Sequence, residues 1–289
     1  MKLIIKDRVK CDIFVNTFQS LKSFSDHINI NINDKRFWVS GLDKNHVCFY
    51  ELNILTDWFD EFELNDNEDD KIIVIGINTE IMFKILHTKQ DNQILEFKYE
   101  IDSDKLFISF LPEDKKDFSN HFAMPLIDLE IDNVDVPHKE GEADFSLPTK
   151  KFCLIMEQLA IFDTAFKMEC TEEGVNCIVD GTEGKMDIAM DIESMEEYSI
   201  DEDTTVTNSF STKLINKACS FNKLAPIIHV SVNNNFPIGI KYVLNNPKSN
   251  VNETASAQSA DGESDDDSVN TQNKESYMRF LIAPQIDSD

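Results

Sequence analysis

"STKLINKACSFNKL" (211–224) decides how the rest of this chain is read. At 100° per residue, Leu214, Ile215, Ala218, Cys219 and Phe221 fall on one side of a helix. Lys213, Asn216, Lys217, Ser220 and Lys223 fall on the other. Ser211-Thr212 supplies cap-like residues at its start. Such a helix buries one stripe and leaves a basic stripe in water. Three further segments carry helical spacing: 10–24 "KCDIFVNTFQSLKSF", 78–89 "NTEIMFKILHTK" and 148–161 "PTKKFCLIMEQLAI". The second opens at Asn78 and the third at Pro148-Thr149.

Between these segments the chain reads as strand. Runs such as "HVCFYELNI", "KIIVIGI", "KLFISFL", "HFAMPLIDLEI", "GVNCIV", "KMDIAMDI", "IIHVSVN", "FPIGIKYVL" and "YMRFLIA" alternate or are wholly apolar, and they are rich in Ile, Val and Phe. Charged loops such as "DSD" (102–104) and "TEEG" (171–174) join several of them, which predicts antiparallel meanders. The order is helix, strands, helix, strands, and then the same again. This reads as a tandem repeat, with an extended acidic crossover near 130–145 where Pro137 favours extended backbone. The fold class expected is therefore α+β. Residues 56–70 read as an acidic loop region. Residues 245–275 hold almost no large apolar groups and read as a disordered insertion before the last strand.

Charge divides along the same lines. The chain carries a net charge of −27. The four helical segments hold nine lysines and three acids, a net of +6, which leaves −33 on the remaining 234 residues. An evenly acidic surface would repel nucleic acid, whereas four basic helix faces in an acidic protein can oppose phosphates.

The 41% apolar fraction and 21 Phe suffice for a substantial core. No apolar run reaches the roughly 18 residues of a membrane span. The opening "MKLIIKDRVK" is too short in apolar residues for a signal peptide, so an intracellular protein is expected. The six cysteines are scattered with no CxxC pair, and no two histidines have metal-ligand spacing; they predict buried thiols, no metal and no cofactor. "DGTEGK" (180–185) lacks the spacing of a phosphate-binding loop, and no nucleophile elbow or zinc signature is present. The reading is of a non-enzyme; a nuclease built on the acidic loops is the weaker alternative.

"LDKNHV" (42–47), "MPLIDLEIDNVDVP" (124–137), "FPIGIKYVL" (236–244) and "MRFLIAPQID" (278–287) together resemble one family, the eukaryotic-type DNA sliding clamps of the proliferating cell nuclear antigen family. The resemblance runs nearly end to end and is weakest at 53–70. It implies two similar clamp domains, at 1–132 and 146–289, joined by a connecting loop at 133–145. Sheets would lie outside and four helices on the inner face, with three chains closing head to tail into a ring around duplex DNA. It implies a processivity factor that grips phosphates without sequence preference. It also implies a pocket for PIP-box peptides of polymerases, ligases and nucleases, a clamp loader, and a nuclear or viral replication site. A clamp-fold protein that does not slide, such as a checkpoint-type heterotrimer subunit or a transcription accessory factor, is the alternative.

By this resemblance Lys22, Lys84 and Lys213 face DNA, with His87 where the family has another lysine. The helical wheels add Lys150, Lys151, Lys217 and Lys223. Glu157 departs from the family, standing in place of an arginine, and Leu154 and Ile161 lie near the polar arc of the third helix. The partner pocket is implied at Leu42, His46, Val47, Val134, Val136, Pro137, Pro237, Leu281, Ala283, Pro284 and Ile286, with Gln285 replacing a lysine. The tail is expected to stop pairing at Pro284 and to offer free backbone groups. Ring closure is implied at two strand edges, one carrying Phe122 and Met124 and the other Ile188 and Met190. Burial of these four inside their own chain is the competing reading.

Overall fold

A computed structural model describes residues 1–64, 72–101, 103–114, 117–130, 139, 141–182, 184–244 and 275–285. The first half runs β1 (Lys2–Ile5), α1 (Arg8–Leu21), β2 (His27–Ile32), β3 (Arg36–Leu42), β4 (Cys48–Leu55), β5 (Glu61–Glu63), β6 (Ile73–Asn78), α2 (Thr79–Leu86), β7 (Gln93–Lys98), β8 (Lys105–Pro112) and β9 (Asn120–Pro125). The second runs β10 (Ala143–Pro148), α3 (Thr149–Leu159), β11 (Ala165–Thr171), β12 (Gly174–Gly181), β13 (Gly184–Asp191), β14 (Glu197–Ile200), β15 (Val206–Ser211), α4 (Thr212–Cys219), β16 (Ile227–Val232), β17 (Ile238–Val243) and β18 (Tyr277–Ile282). The two halves repeat one order of elements. Even the single helical turns at Thr56–Trp58 and Ile192–Ser194 fall at the same place.

Local chemistry starts each helix. Asp7, Asn78 and Ser211 are N-caps whose side chains accept from the amides of Lys10, Ile81 and Leu214; α3 follows Pro148 with no side-chain cap. Strand pairing is antiparallel throughout. One sheet has the order β5-β1-β7-β8-β9 and another β13-β12-β11-β15. The third and largest, β14-β10-β16-β17-β18-β4-β3-β2-β6, spans both halves, because β18 pairs with β4 from Tyr277↔Asn53 to Ile282↔Cys48.

Alternation along β17 and β18 sends Ile238, Ile240, Tyr242, Met278, Phe280 and Ile282 to the helix side, all at 0% exposure. Phe280 packs on Phe24 at 5.2 Å and on Phe221 at 4.9 Å between ring centroids. The Tyr242 hydroxyl donates to the Ala218 carbonyl of α4 at 3.1 Å. Phe14 of α1 lies between Phe37 of β3 and Phe97 of β7, at 5.9 and 5.3 Å, so α1 joins two sheets. The α1 and α4 ends meet where Ser20 Oγ donates to the Ser220 carbonyl at 3.3 Å. All six cysteines are free and buried.

"HFAMPLIDLEI" does not form one strand. β9 ends at Pro125, and the chain then crosses β6, where the Ile127 amide donates to the Gly76 carbonyl at 2.9 Å. A Cβ at Gly76 would stand 2.1 Å from the Ile127 carbonyl oxygen, so only glycine admits this crossing. Strands β1, β2, β3, β5, β10 and β14 add to those read from the sequence. The crossover at 131–138 and most of the insertion, 245–274, lie outside the described residues.

Candidate functional site

The free faces of the helices differ from one another. Lys84 on α2, Lys213 on α4 and Lys223 in the turn after α4 are exposed. Lys22, at the C-cap of α1, stands 3.3 Å from the Phe83 ring centroid and 3.7 Å from Glu80 Oε2; Lys84 reaches the other oxygen of that carboxylate at 3.6 Å. His87 stacks on Phe83 at 5.7 Å, so Lys22, Lys84 and His87 form one cluster across α1 and α2. These contacts are solvated and hold the lysines weakly. The Lys217 ammonium sits 4.7 Å from the Phe24 ring.

Two lysines differ from the wet basic face that the wheels predict. Lys151 Nζ donates to the Ser194 carbonyl at 2.8 Å, and is held by the turn after β13. Lys10 is 0% exposed, donating to the Trp58 carbonyl at 2.6 Å, 5.4 Å from the Trp58 ring. Removing Lys10 from the count leaves a surface surplus of +5 on the helical segments. On α3 the free face carries Lys150, Glu157 and the exposed Leu154, at 53%, and Ile161, at 71%, is exposed just past the end of the helix. Within the helices net positive charge is therefore greatest on α4, where Lys213 and Lys217 stand with no acid, whereas Glu80 offsets Lys84 on α2.

The opposite face of the large sheet follows from register. Pairing aligns Leu42, Phe49, Leu281 and Gly239 across β3, β4, β18 and β17. The next outward row is Ser40, Glu51, Arg279, Lys241 and His229, the last from β16. Leu42 and Leu281 of the expected pocket thus come together, with Phe49 between them. Phe49 was not singled out, although the two-residue period of "CFYELNI" places it beside Leu42. Pro237 sits just before β17.

The loop carrying His46 and Val47 is built by Asp43. Its carboxylate accepts from the amides of Val47 and Cys48, both at 2.9 Å, and its carbonyl accepts from His46 N. His46 has φ of 59° and is exposed, so its role here is to turn the backbone. The tail differs from expectation. β18 ends at Ile282, before Pro284, yet the Ala283 amide donates to the Val47 carbonyl at 2.9 Å and the Gln285 amide to the Ser209 carbonyl at 2.7 Å. The amides at 283 and 285 are therefore used within the chain. Val134, Val136, Pro137 and Ile286 lie outside the described residues.

Pro237 and Leu281 also line one end of a cleft of about 670 Å³ that crosses β17, β16 and β10. Its far side carries His229, Lys241, Tyr277 and Arg279. Arg279 pairs with Glu51 at 2.7 Å, and Lys241 with Glu275. Burial holds the His229 imidazole below its ordinary 6.5; Lys241 adds to this, while Glu197 and Glu275 oppose it.

Phe122 and Met124 lie on β9, and Ile188 and Met190 on β13. Among the described residues each strand is at the end of its sheet and has one edge without a partner strand. Their side chains, however, face their own core: Met124 and Met190 are buried at 1% and 3%, and Phe122 and Ile188 pack against the core. What the edges offer a neighbour is backbone. Among the described residues no group of three or more His, Cys, Asp or Glu could hold a metal, and no helix is long and apolar enough to cross a membrane.

Comparison with known proteins gives a consistent answer. Residues 7–135 match the family described as "Proliferating cell nuclear antigen, N-terminal domain", and 135–251 match its C-terminal domain. The chain is 21% identical to proliferating cell nuclear antigen of Chaetomium thermophilum, over 97% of each chain. It is 22% identical to proliferating cell nuclear antigen 1 of Plasmodium falciparum, over 96% of this chain and 94% of that one. It is 21% identical to proliferating cell nuclear antigen 2 of Drosophila melanogaster, over 77% and 85%. With both domain families matched in order along a repeated antiparallel fold, this chain is a divergent member of the proliferating cell nuclear antigen family of sliding clamps.

Proposed function

We propose that this clamp encircles duplex DNA as a homotrimer and tethers PIP-box proteins, among them a polymerase, a ligase and a nuclease, by a pocket on its outer face. The observation that carries the reading is the division of charge: exposed lysines on helices that share one side of the large sheet, in a chain of net charge −27. Three copies joined edge to edge, β9 to β13, would set twelve helices around a hole. Phosphate contacts there carry no sequence information and so permit sliding. A loader would open the ring, and replication sites in a nucleus, or those of a virus, are where it would act. The division into 1–132, 133–145 and 146–289 belongs to this proposal, as do the DNA-facing lysines and the pocket residues; so does the absence of a reaction of its own.

The test is topological. A clamp placed on nicked circular duplex should stay bound in moderate salt and leave when the circle is cut. The triple variant Lys84→Glu, Lys150→Glu, Lys213→Glu should keep its solution mass and lose retention. Equal retention on circular and linear DNA would overturn encirclement, and unchanged retention of the triple variant would overturn the assignment of these helix faces.

A further inference from the structure

The six cysteines do not stand alike. Cys11, Cys48, Cys170 and Cys177 are at most 1% exposed, and burial raises their thiols above the ordinary value. Cys153 and Cys219 are each 5% exposed and meet between α3 and α4. Two contacts, one helical turn apart, fix how they meet. The Asn216 side-chain amide of α4 donates to the Met156 carbonyl of α3 at 3.2 Å. Three residues further along α4 and three back along α3, the Cys153 thiol donates to the Cys219 carbonyl at 3.8 Å. The helices therefore run antiparallel here, and the two thiols hydrogen-bond one another. Cys219 is the last residue of α4, so it can adjust without breaking the helix.

The Cys219 thiol holds the Cys153 thiol below its ordinary value; burial and Glu157 oppose this, and the Asn222 side chain supports it. On ionising, Cys153 gives up its bond to the carbonyl and keeps the one from Cys219. Cys219 is raised by Cys153 and by burial. A readily ionised thiol beside a second that can resolve it suits reversible oxidation. We infer that Cys153 and Cys219 form a modification site at which hydrogen peroxide makes an intrachain disulfide that staples α3 to α4. The Cys153 thiolate attacks one peroxide oxygen and becomes a sulfenic acid. The O–O bond breaks, and the departing hydroxide takes up the thiol proton as water. The Cys219 sulfur then attacks the Cys153 sulfur, the S–O bond breaks, and a second water leaves with the Cys219 proton. Peroxide gains the two electrons that the two thiols lose. The inference is independent of how the clamp holds DNA or peptides.

The test treats the full chain with hydrogen peroxide and counts thiols after unfolding. The count should fall from six to four, with a mass loss of about 2 Da and a peptide map joining 153 to 219, all reversed by dithiothreitol. The oxidised chain should melt higher, because the bond spans 66 positions of sequence and restricts the unfolded chain. Cys153→Ser and Cys219→Ser should each abolish the bond, with Cys153→Ala covering a serine variant that misfolds. Six surviving thiols, under peroxide that oxidises free cysteine alongside, would show that Cys153 only caps the end of α4. A gain of about 32 or 48 Da on Cys153 with Cys219 still free, or a bridge through any other cysteine, would overturn the pairing. A lower melting temperature of the bridged chain would mean that the bond distorts the helices, and the preformed geometry would fail.

Discussion

At the scale of single residues, His229 makes stability depend on pH. Its folded-state value lies below the ordinary 6.5, so the unfolded chain takes up the proton first. The stability it contributes is present above 6.5 and is lost as pH falls from there through the lower folded value. Melting temperature measured from pH 7.5 to 5.5 should fall, and His229→Gln should flatten that slope; an identical slope in the variant would show that the imidazole is not responsible. Asp43 makes a second prediction. Two amides rely on its carboxylate, and it is itself 2% exposed. Asp43→Ala should cost about 1–3 kcal/mol in urea unfolding and loosen the loop that carries Val47. Loss of less than a few tenths would mean the loop holds without it. Asp43 was legible in "LDKNHV" only as part of a resemblance, because a carboxylate in a turn reads as solvated. Lys10 was misread for a related reason. Its place on the helical wheel is polar, and the Trp58 carbonyl, brought in by a different segment, helps to make its burial tolerable.

At the scale of elements, the four helices were legible because a 3.6-residue period is a local property that needs nothing distant, although the start of α1 at Asp7 lies before the segment read and α3 has no side-chain cap. Several strands were not. β1 and β10 run straight into helices, β5 has three residues within an acidic stretch, and β14 is half exposed, so none shows a long alternating pattern. β9 and β13 stand at sheet edges among the described residues, but their outward groups are backbone atoms, which no side-chain pattern reports. The crossing of the Ile127 segment over β6 was invisible, since it depends on two stretches fifty residues apart. It gives a direct prediction. Gly76→Ala forces a methyl group against a carbonyl oxygen, and backbone must shift; we expect a loss on the order of 2 kcal/mol, read from the urea midpoint. Unchanged stability would mean that the crossing segment can move away without cost.

For the whole molecule, free edges on β9 and β13 set the expected assembly. Sedimentation or light scattering should give about three times 33.2 kDa, and a strict monomer at micromolar concentration would contradict the ring. The segment 245–274 was read from composition and lies outside the described residues. The described residues on either side of it nevertheless meet, because the Leu244 amide donates to the Ser276 carbonyl at 2.8 Å. Replacing 245–274 by a short turn should therefore preserve melting temperature and mass; loss of the trimer would assign the segment a structural part.

The pairing of β18 with β4 has a consequence for how the chain comes into being. The Tyr277 hydroxyl bonds to Glu51 across 226 positions of sequence, so the edge of β4 waits uncovered until residues 277–282 leave the ribosome. Contacts this distant are slow to form, and an exposed strand edge is prone to pair with the wrong neighbour meanwhile. The first half is thus born incomplete, and β18, made long after β4, is the strand that locks both halves together. A stalled or truncated product ending before Tyr277 would expose β4 and β17 at once, which makes such fragments natural substrates for chaperones and proteases rather than half-clamps able to fold alone.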